Sequence, residues 1–373
     1  MPFCASRCGY CDFNTYTALE LSRDGATITQ SNYVENLAFE VEMASTEMGR
    51  RPISTIFFGG GTPTLLAPAA IEQTLILLKN RFGFVDGIEI TTEANPESVT
   101  SRSLEQLREF GVNRISFGMQ SAVPHVLATL DRTHSPERLI AAVNEANAVG
   151  FEHISVDLIY GTPGESLLDW QKSIDVALEL PIDHISAYAL IVEDGTKFAK
   201  KVAQGEVVMP GDDSTADKYL LASRVFEAAG FAWYEVSNWA RNGGECRHNL
   251  AYWRSDDWWG FGPGAHSHLS GKRWWNVKHP AAYAQRLSAN LSPAHDHEFL
   301  TSAQREMERI MLGVRIRNGL PTDSLPSASA IRALEDGYLD ADSYKSGRAV
   351  LTIKGRLMAD AVVRSLIDDP AAN

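Results

Sequence analysis

Three of the chain's four cysteines lie within its first eleven residues: Cys4, Cys8 and Cys11, spaced C-x3-C-x2-C. Thiolates are soft ligands, suited to iron–sulfur clusters or zinc. Three ligands leave one metal position open, and an open position favours chemistry where a closed one favours a structural staple. A structural zinc site needs a fourth protein ligand, and the nearest histidine, His125, lies far along the chain. Four cysteines in 373 residues do not make a disulfide framework. A loop of this spacing can instead wrap three irons of a cubane cluster, freeing the fourth iron to chelate a small molecule.

The elements that must position such a loop are legible from about residue 50 to 200. Ser54–Phe58 reads as a strand and runs into Gly59-Gly60-Gly61. Ile71, Leu75, Leu78 and Phe82 recur at helical spacing after it. Further strands are predicted at Gly87–Thr92, Arg114–Gly118, His153–Ile159 and His184–Ile191. Helices are predicted through Leu104 and Leu107, around Val123–Leu130 and Pro136–Val149, and through Trp170, Ile174 and Leu178. Strands alternating with helices predict a parallel sheet with right-handed crossovers. Thr62, Glu93, Gln120 and Asp157 stand at or near the C-terminal ends of successive strands, the rim on which parallel barrels build active sites. Each taken alone reads equally well as a loop or capping residue.

Beyond residue 200 the texture changes. Gly205–Asp213 reads as a crossing loop, Ala216–Ala229 as a helix and Trp233–Val236 as a strand. Glu245–Leu269 is rich in His, Trp and Gly. A helix carrying Met307, Ile310, Met311 and Val314, a second at Ala330–Gly337, and a short strand and helix within Val350–Ile367 suggest a small winged-helix-like module. Such modules often bind DNA. The chain, however, has 34 Lys and Arg against 47 Asp and Glu, a net charge of −13, which disfavours non-specific nucleic-acid binding and favours a packing role.

Cys4-Ala5-Ser6-Arg7-Cys8-Gly9-Tyr10-Cys11, with an aromatic before the last cysteine, resembles the radical S-adenosylmethionine (SAM) superfamily. The resemblance implies a [4Fe-4S] cluster on Cys4, Cys8 and Cys11 whose unique iron binds SAM, and from which a 5′-deoxyadenosyl radical can be generated. Gly59-Gly60-Gly61-Thr62-Pro63-Thr64 is similar to the superfamily motif that receives the methionine amino group. Within the superfamily, the chain resembles the coproporphyrinogen III oxidase-like branch. The matching stretches are Met1-Pro2-Phe3-Cys4, Phe57-Phe58-Gly59-Gly60-Gly61-Thr62-Pro63, Glu93-Ala94-Asn95-Pro96, Phe117-Gly118-Met119-Gln120-Ser121 and Asp157-Leu158-Ile159-Tyr160-Gly161-Thr162-Pro163. By resemblance, Tyr10, Gly60, Gly61, Thr62, Glu93, Gln120, Arg132 and Asp157 contact SAM. A carboxylate can accept from ribose hydroxyls or an amine, and Arg132 can clamp a carboxylate. For Arg132 alone, a surface ion pair is an equal reading. Relatives carry a strand directly before Pro-Phe-Cys, where this sequence has Met1. The expected fold is therefore a partial (β/α)6 radical SAM barrel lacking its first strand, with a C-terminal α+β winged-helix-like module. Expected segments are 1–205 for the core, 206–295 for a barrel extension and 296–373 for the C-terminal module.

Two activities divide the branch. The dehydrogenase, which oxidatively decarboxylates coproporphyrinogen III, carries a fourth cysteine where this chain has Phe13. A heme-chaperone group lacks that cysteine and carries His-Asn-x-x-Tyr-Trp, present here as His248-Asn249-Leu250-Ala251-Tyr252-Trp253. The resemblance implies heme on His248, an imidazole being a good axial ligand. Tyr252, one helical turn on, can flank the porphyrin. Cys246 reads as a buried thiol or as a second nucleophile near heme. Gly260-Phe261-Gly262-Pro263-Gly264-Ala265-His266-Ser267 also resembles the family, and His266 and His268 are further candidate heme contacts. The expected protein is a cytoplasmic heme chaperone without porphyrin oxidase activity, a monomer or dimer that passes heme to a soluble or membrane-bound acceptor. The dehydrogenase is the alternative. No run of eighteen apolar residues and no secretory signal pattern is visible.

Overall fold

The computed structural model describes residues 1–23 and 29–367. Residues 24–28 and 368–373, which belong to the expected core and C-terminal segments, lie outside it. The central element is a curled half-barrel sheet of seven strands. In chain order these are β1 (Ile53–Phe58), β2 (Phe84–Ala94), β3 (Arg114–Gln120), β4 (His153–Tyr160), β5 (His184–Ala189), β6 (Ala232–Glu235) and β7 (Asn238–Ala240). The spatial order is β1-β2-β3-β4-β5-β7-β6. The pairs from β1 to β5 are parallel, and β7 and β6 close the far side antiparallel. Among the described residues Ile53–Phe58 is the outer strand on one side of the sheet, in keeping with a partial radical SAM barrel.

Helices cover the convex face. Pro68–Phe82 buries Ile71, Leu75, Leu78 and Phe82, each such side chain contributing about 2 kcal/mol through area removed from water. Ser101–Glu109 starts in a capping box between Thr100 and Ser103, and Pro136–Val149 starts at Ser135 and stops at left-handed Gly150. Most strand bounds differ from the sequence reading by one or two residues, and two differences have a clear structural reason. β2 starts at Phe84 rather than Gly87, because Gly87 sits inside the strand at φ +65° opposite a register shift in β1. β5 ends at Ala189, after which the chain leaves the sheet and exposes Ile191.

The region after β7 holds a three-stranded antiparallel sheet that the sequence reading missed: β8 (His266–Leu269), β9 (Lys272–Asn276) and β10 (Ala294–Phe299). Histidines and charges occupy both faces of these strands, which hides the alternation that marks a half-buried strand. Ser270 and Gly271, both at positive φ, make the two-residue turn between β8 and β9. This region is tied to the N-terminal half through buried Glu40 on helix Tyr33–Met48. Its carboxylate accepts from Gly262 N at 2.8 Å, from Asn276 Nδ2 at 2.7 Å and from the Tyr283 hydroxyl. Burial pushes this carboxyl up to about 7 despite those bonds.

The C-terminal segment has its own apolar cluster, including Ile310, Val314, Leu325, Leu339, Leu351, Val362 and Leu366. It contains helices Ser302–Gly313, Ser327–Glu335 and Ala359–Ile367. The strand expected after Val350 is instead Arg348–Ala349, paired with Leu320–Pro321. Among the described residues, no helix is long and apolar enough to cross a membrane.

Candidate functional site: a three-cysteine loop over an open sheet

Alternate residues of the parallel strands point to the concave side of the sheet, as the period of two requires. Thr91 and Glu93 on β2, Arg114, Ser116 and Gly118 on β3, Ser155 and Asp157 on β4, and His184, Ser186 and Tyr188 on β5 all line one cavity of about 960 Å³. A closed parallel barrel fills its interior with bulky apolar side chains. Here the inward strand positions are mainly polar.

The cysteine loop covers the C-terminal rim of that cavity, and Cys4, Cys8 and Cys11 all line it. Phe3–Cys4 pairs with Tyr16–Thr17, so the intervening residues form the loop. Gly9 anchors it at mid-length: its N–H donates to Leu130 O at 3.2 Å, and its carbonyl accepts from Phe198 N at 2.8 Å. A Cβ on Gly9 would stand 2.6 Å from Asp131 Oδ2. Lys197 and Lys201 hold Asp131 at 2.9 and 3.3 Å. All three thiols are free and half-buried. Burial pushes the Cys4 and Cys11 thiols above the ordinary range. Arg132 Nη1 donates to Cys8 Sγ at 3.3 Å, placing a cation beside a sulfur that must lose its proton to bind iron. Among the described residues, no three His, Cys, Asp or Glu side chains converge closely enough to hold a single metal ion. A cubane takes one thiolate per iron, so its ligands stand wider apart than those of a single ion. A solvent-facing loop of three free thiols fits that donor set. His125, the nearest histidine in sequence, instead faces Asp169 at 3.6 Å.

The glycine run meets the start of the chain. Gly61 N donates to Met1 O at 2.8 Å and Thr62 N to Phe3 O at 2.7 Å. A Cβ on Gly61 would lie 2.4 Å from the Phe3 carbonyl oxygen, so only glycine fits. Thr62 Oγ1 also approaches Cys4 Sγ at 3.9 Å.

Tyr10, Gly60, Gly61, Thr62, Glu93, Gln120, Arg132 and Asp157, widely separated in sequence, all border the same cavity as the three cysteines. Glu93 accepts from Gly60 N at 3.1 Å and is pushed up to about 8, first by burial and then by Asp157. Burial also raises Asp157, which accepts the Ser116 hydroxyl at 3.1 Å on both oxygens. Gln120 adopts φ 61° at a bulge between β3 and β4, which turns its side chain into the rim. Arg132 does not form the surface ion pair that was its alternative. Its second nitrogen donates to Gly118 O at 2.9 Å, and its neighbours favour the charged form against burial.

His248 and Tyr252 do not border this cavity. His248 stacks on Phe57, which does, as do Cys246 and Asn249 on either side of His248 in sequence. Residues Arg247–Trp253 are helical, which brings His248 Nε2 to 2.9 Å from the Tyr252 hydroxyl one turn on. The imidazole stacks on Phe57 with centroids 5.2 Å apart, and its Nδ1 is 2.9 Å from Thr55 Oγ1. Burial lowers His248 to about 4, so the ring is neutral at neutral pH, the form that binds metal. The short helix has no capping side chain of its own; Glu89 of β2 supplies one, accepting from Arg247 N at 3.1 Å and His248 N at 2.9 Å. Arg114 Nε stands 3.4 Å from the same carboxylate, both side chains being buried. Thr55, Glu89 and Arg114 escaped the sequence reading, although a polar residue at every second position of Glu89-Ile90-Thr91-Thr92-Glu93 was a visible signal. Cys246 is a buried thiol pushed up to about 12. His268 is buried and bonded to Gly271 N at 3.2 Å, and His266 stacks on Trp275. Phe13, in the position of the dehydrogenase's fourth cysteine, is exposed at the rim.

A curled half-barrel with a C-x3-C-x2-C loop over its C-terminal rim is the architecture of radical SAM proteins, and residues 1–177 match the family model described as the Radical SAM superfamily. Over 370 residues the chain is 48% identical to a protein named Heme chaperone HemW from Mycobacterium tuberculosis (strain CDC 1551 / Oshkosh), spanning 98% of this chain and 93% of that one. It is 35% identical over 325 residues to a protein of the same name from Bacillus subtilis (strain 168), spanning 86% and 83%. The chain belongs to the HemW family of the radical SAM superfamily. Among solved structures, coproporphyrinogen III oxidase (HemN) from Escherichia coli matches with a TM-score of 0.82 at 22% identity, over 99% of this chain and 88% of that one. The two share a fold.

Proposed function

We propose that this protein carries heme and delivers it to an acceptor protein, and that a [4Fe-4S] cluster and SAM occupy its radical SAM core. The observation that carries this reading is His248: a neutral imidazole, fixed on a short helix against the edge of the sheet that bears the cysteine loop. His248 serves as the axial ligand to heme iron, with Tyr252 beside the porphyrin. Cys4, Cys8 and Cys11 hold the cluster. SAM lies in the cavity below, bordered by Tyr10, Gly60, Gly61, Thr62, Glu93, Gln120, Arg132 and Asp157. Arg132 suits a carboxylate there, while Glu93 and Asp157 suit an amine or ribose hydroxyls. When bound, the cluster supplies a reducible centre with one iron open to SAM. The chain's own residues orient the two groups.

The proposed organisation assigns residues 1–205 to the core, 206–295 to the extension bearing His248, and 296–373 to a winged-helix-like packing module. The proposed setting is the cytoplasm, with no nucleic acid as partner. The dehydrogenase reading lacks its fourth thiol, since Phe13 stands there. Hemin titration of the wild-type protein and of His248→Ala tests the proposal. The expected result is a saturable Soret band in the wild type, weakened tenfold or more by the substitution. An unaltered band in the variant contradicts it.

A further inference from the structure

The imidazole of His248 has two nitrogens in different surroundings. Nδ1 faces the sheet, where Thr55 Oγ1 lies at 2.9 Å, whereas Nε2 faces the half-exposed Tyr252 hydroxyl at 2.9 Å. A phenol is a good hydrogen-bond donor and a poor acceptor, so Tyr252 O–H donates to the Nε2 lone pair. Nδ1 then carries the ring proton and donates it to Thr55. Thr55 and Phe57 are alternate residues of one strand, hence on one face, and Thr55 is in register with Glu89 across β1 and β2. One small patch of sheet edge thus grips His248 three ways: Phe57 stacks on its ring, Glu89 holds its backbone N–H and Thr55 holds Nδ1.

We propose that Thr55 is a positioning residue that fixes the tautomer and orientation of His248, so that Nε2 is the nitrogen offered to metal once the half-exposed Tyr252 hydroxyl turns away from it. Ligating histidines are generally held through their second ring nitrogen in this way. Loss of that partner lowers metal affinity by about 10- to 100-fold. The inference rests on the reading of His248 as the heme ligand.

The test is a hemin titration with a ferric/ferrous potential measurement on the cluster-reconstituted wild type, Thr55→Val, Thr55→Ser and His248→Ala. Valine keeps the shape of threonine and loses only the hydroxyl. The expected result is about a tenfold weaker hemin affinity for Thr55→Val. Its midpoint potential should also be more positive, because an imidazole that no longer donates from Nδ1 is a weaker base toward ferric iron. Thr55→Ser restores both values. Cluster iron content stays at the wild-type level in all four proteins. If Thr55→Val matches the wild type in affinity and potential while His248→Ala loses heme, the inference is overturned and the ligand reading stands. If Thr55→Ser is as weak as Thr55→Val, the effect belongs to packing and the inference again falls. If His248→Ala binds as the wild type does, the ligand reading itself fails.

Discussion

At the scale of residues, the cavity is bordered by groups that a folded chain avoids burying without cause. Glu93 and Asp157 are held near each other inside the sheet, and burial raises both carboxyls. Arg132 is aimed at a thiol rather than at solvent. Such clusters of perturbed groups mark functional sites more often than structural ones. The glycine run is equally constrained. Gly61→Ala forces a methyl against the Phe3 carbonyl, a backbone atom one residue from Cys4. The expected cost is about 1–3 kcal/mol, with a lower yield of cluster iron on reconstitution; iron analysis beside a thermal melt checks both. These residues were legible in the sequence because they stand in short motifs with distinctive types: cysteines, glycines, and polar groups where strands end. Thr55 was not legible. A threonine is a common strand residue, and its meaning lies in a contact with a residue 193 positions away.

At the scale of elements, β1 to β5 and their outer helices were read from periodicity because each buries a regular apolar face. The three-stranded sheet from His266 to Phe299 defeated the same reading, since β10 is exposed almost throughout and β8 and β9 mix histidines, lysine and tryptophans. The helix that carries His248 is a further case. Seven residues are too few to be stable alone, and its stability is lent by Glu89 on a neighbouring strand. Glu89→Ala removes the acceptor for two backbone N–H groups and leaves Arg114 buried without its carboxylate. Breaking a buried pair from one side costs about 3–5 kcal/mol. Urea denaturation of the variant should therefore give a midpoint well below wild type, with heme affinity reduced alongside it.

At the scale of the whole molecule, one sheet meets both proposed sites. Its concave face and C-terminal rim border the cavity with the cysteine loop, and its β1 edge grips the His248 helix, with Phe57 as the shared wall. On the proposed function, one chain holds two iron-bearing groups on separate ligand sets. The most direct measurement is anaerobic reconstitution with iron, sulfide and hemin, reading cluster iron and heme iron separately by spectroscopy and metal analysis. It is made on the wild type, on His248→Ala and on a variant with Cys4, Cys8 and Cys11 all changed to alanine. The account predicts that His248→Ala keeps its cluster iron and loses heme, and that the alanine triplet loses cluster iron and keeps heme. Heme retained in full by His248→Ala, or a cluster retained without the three cysteines, would contradict it.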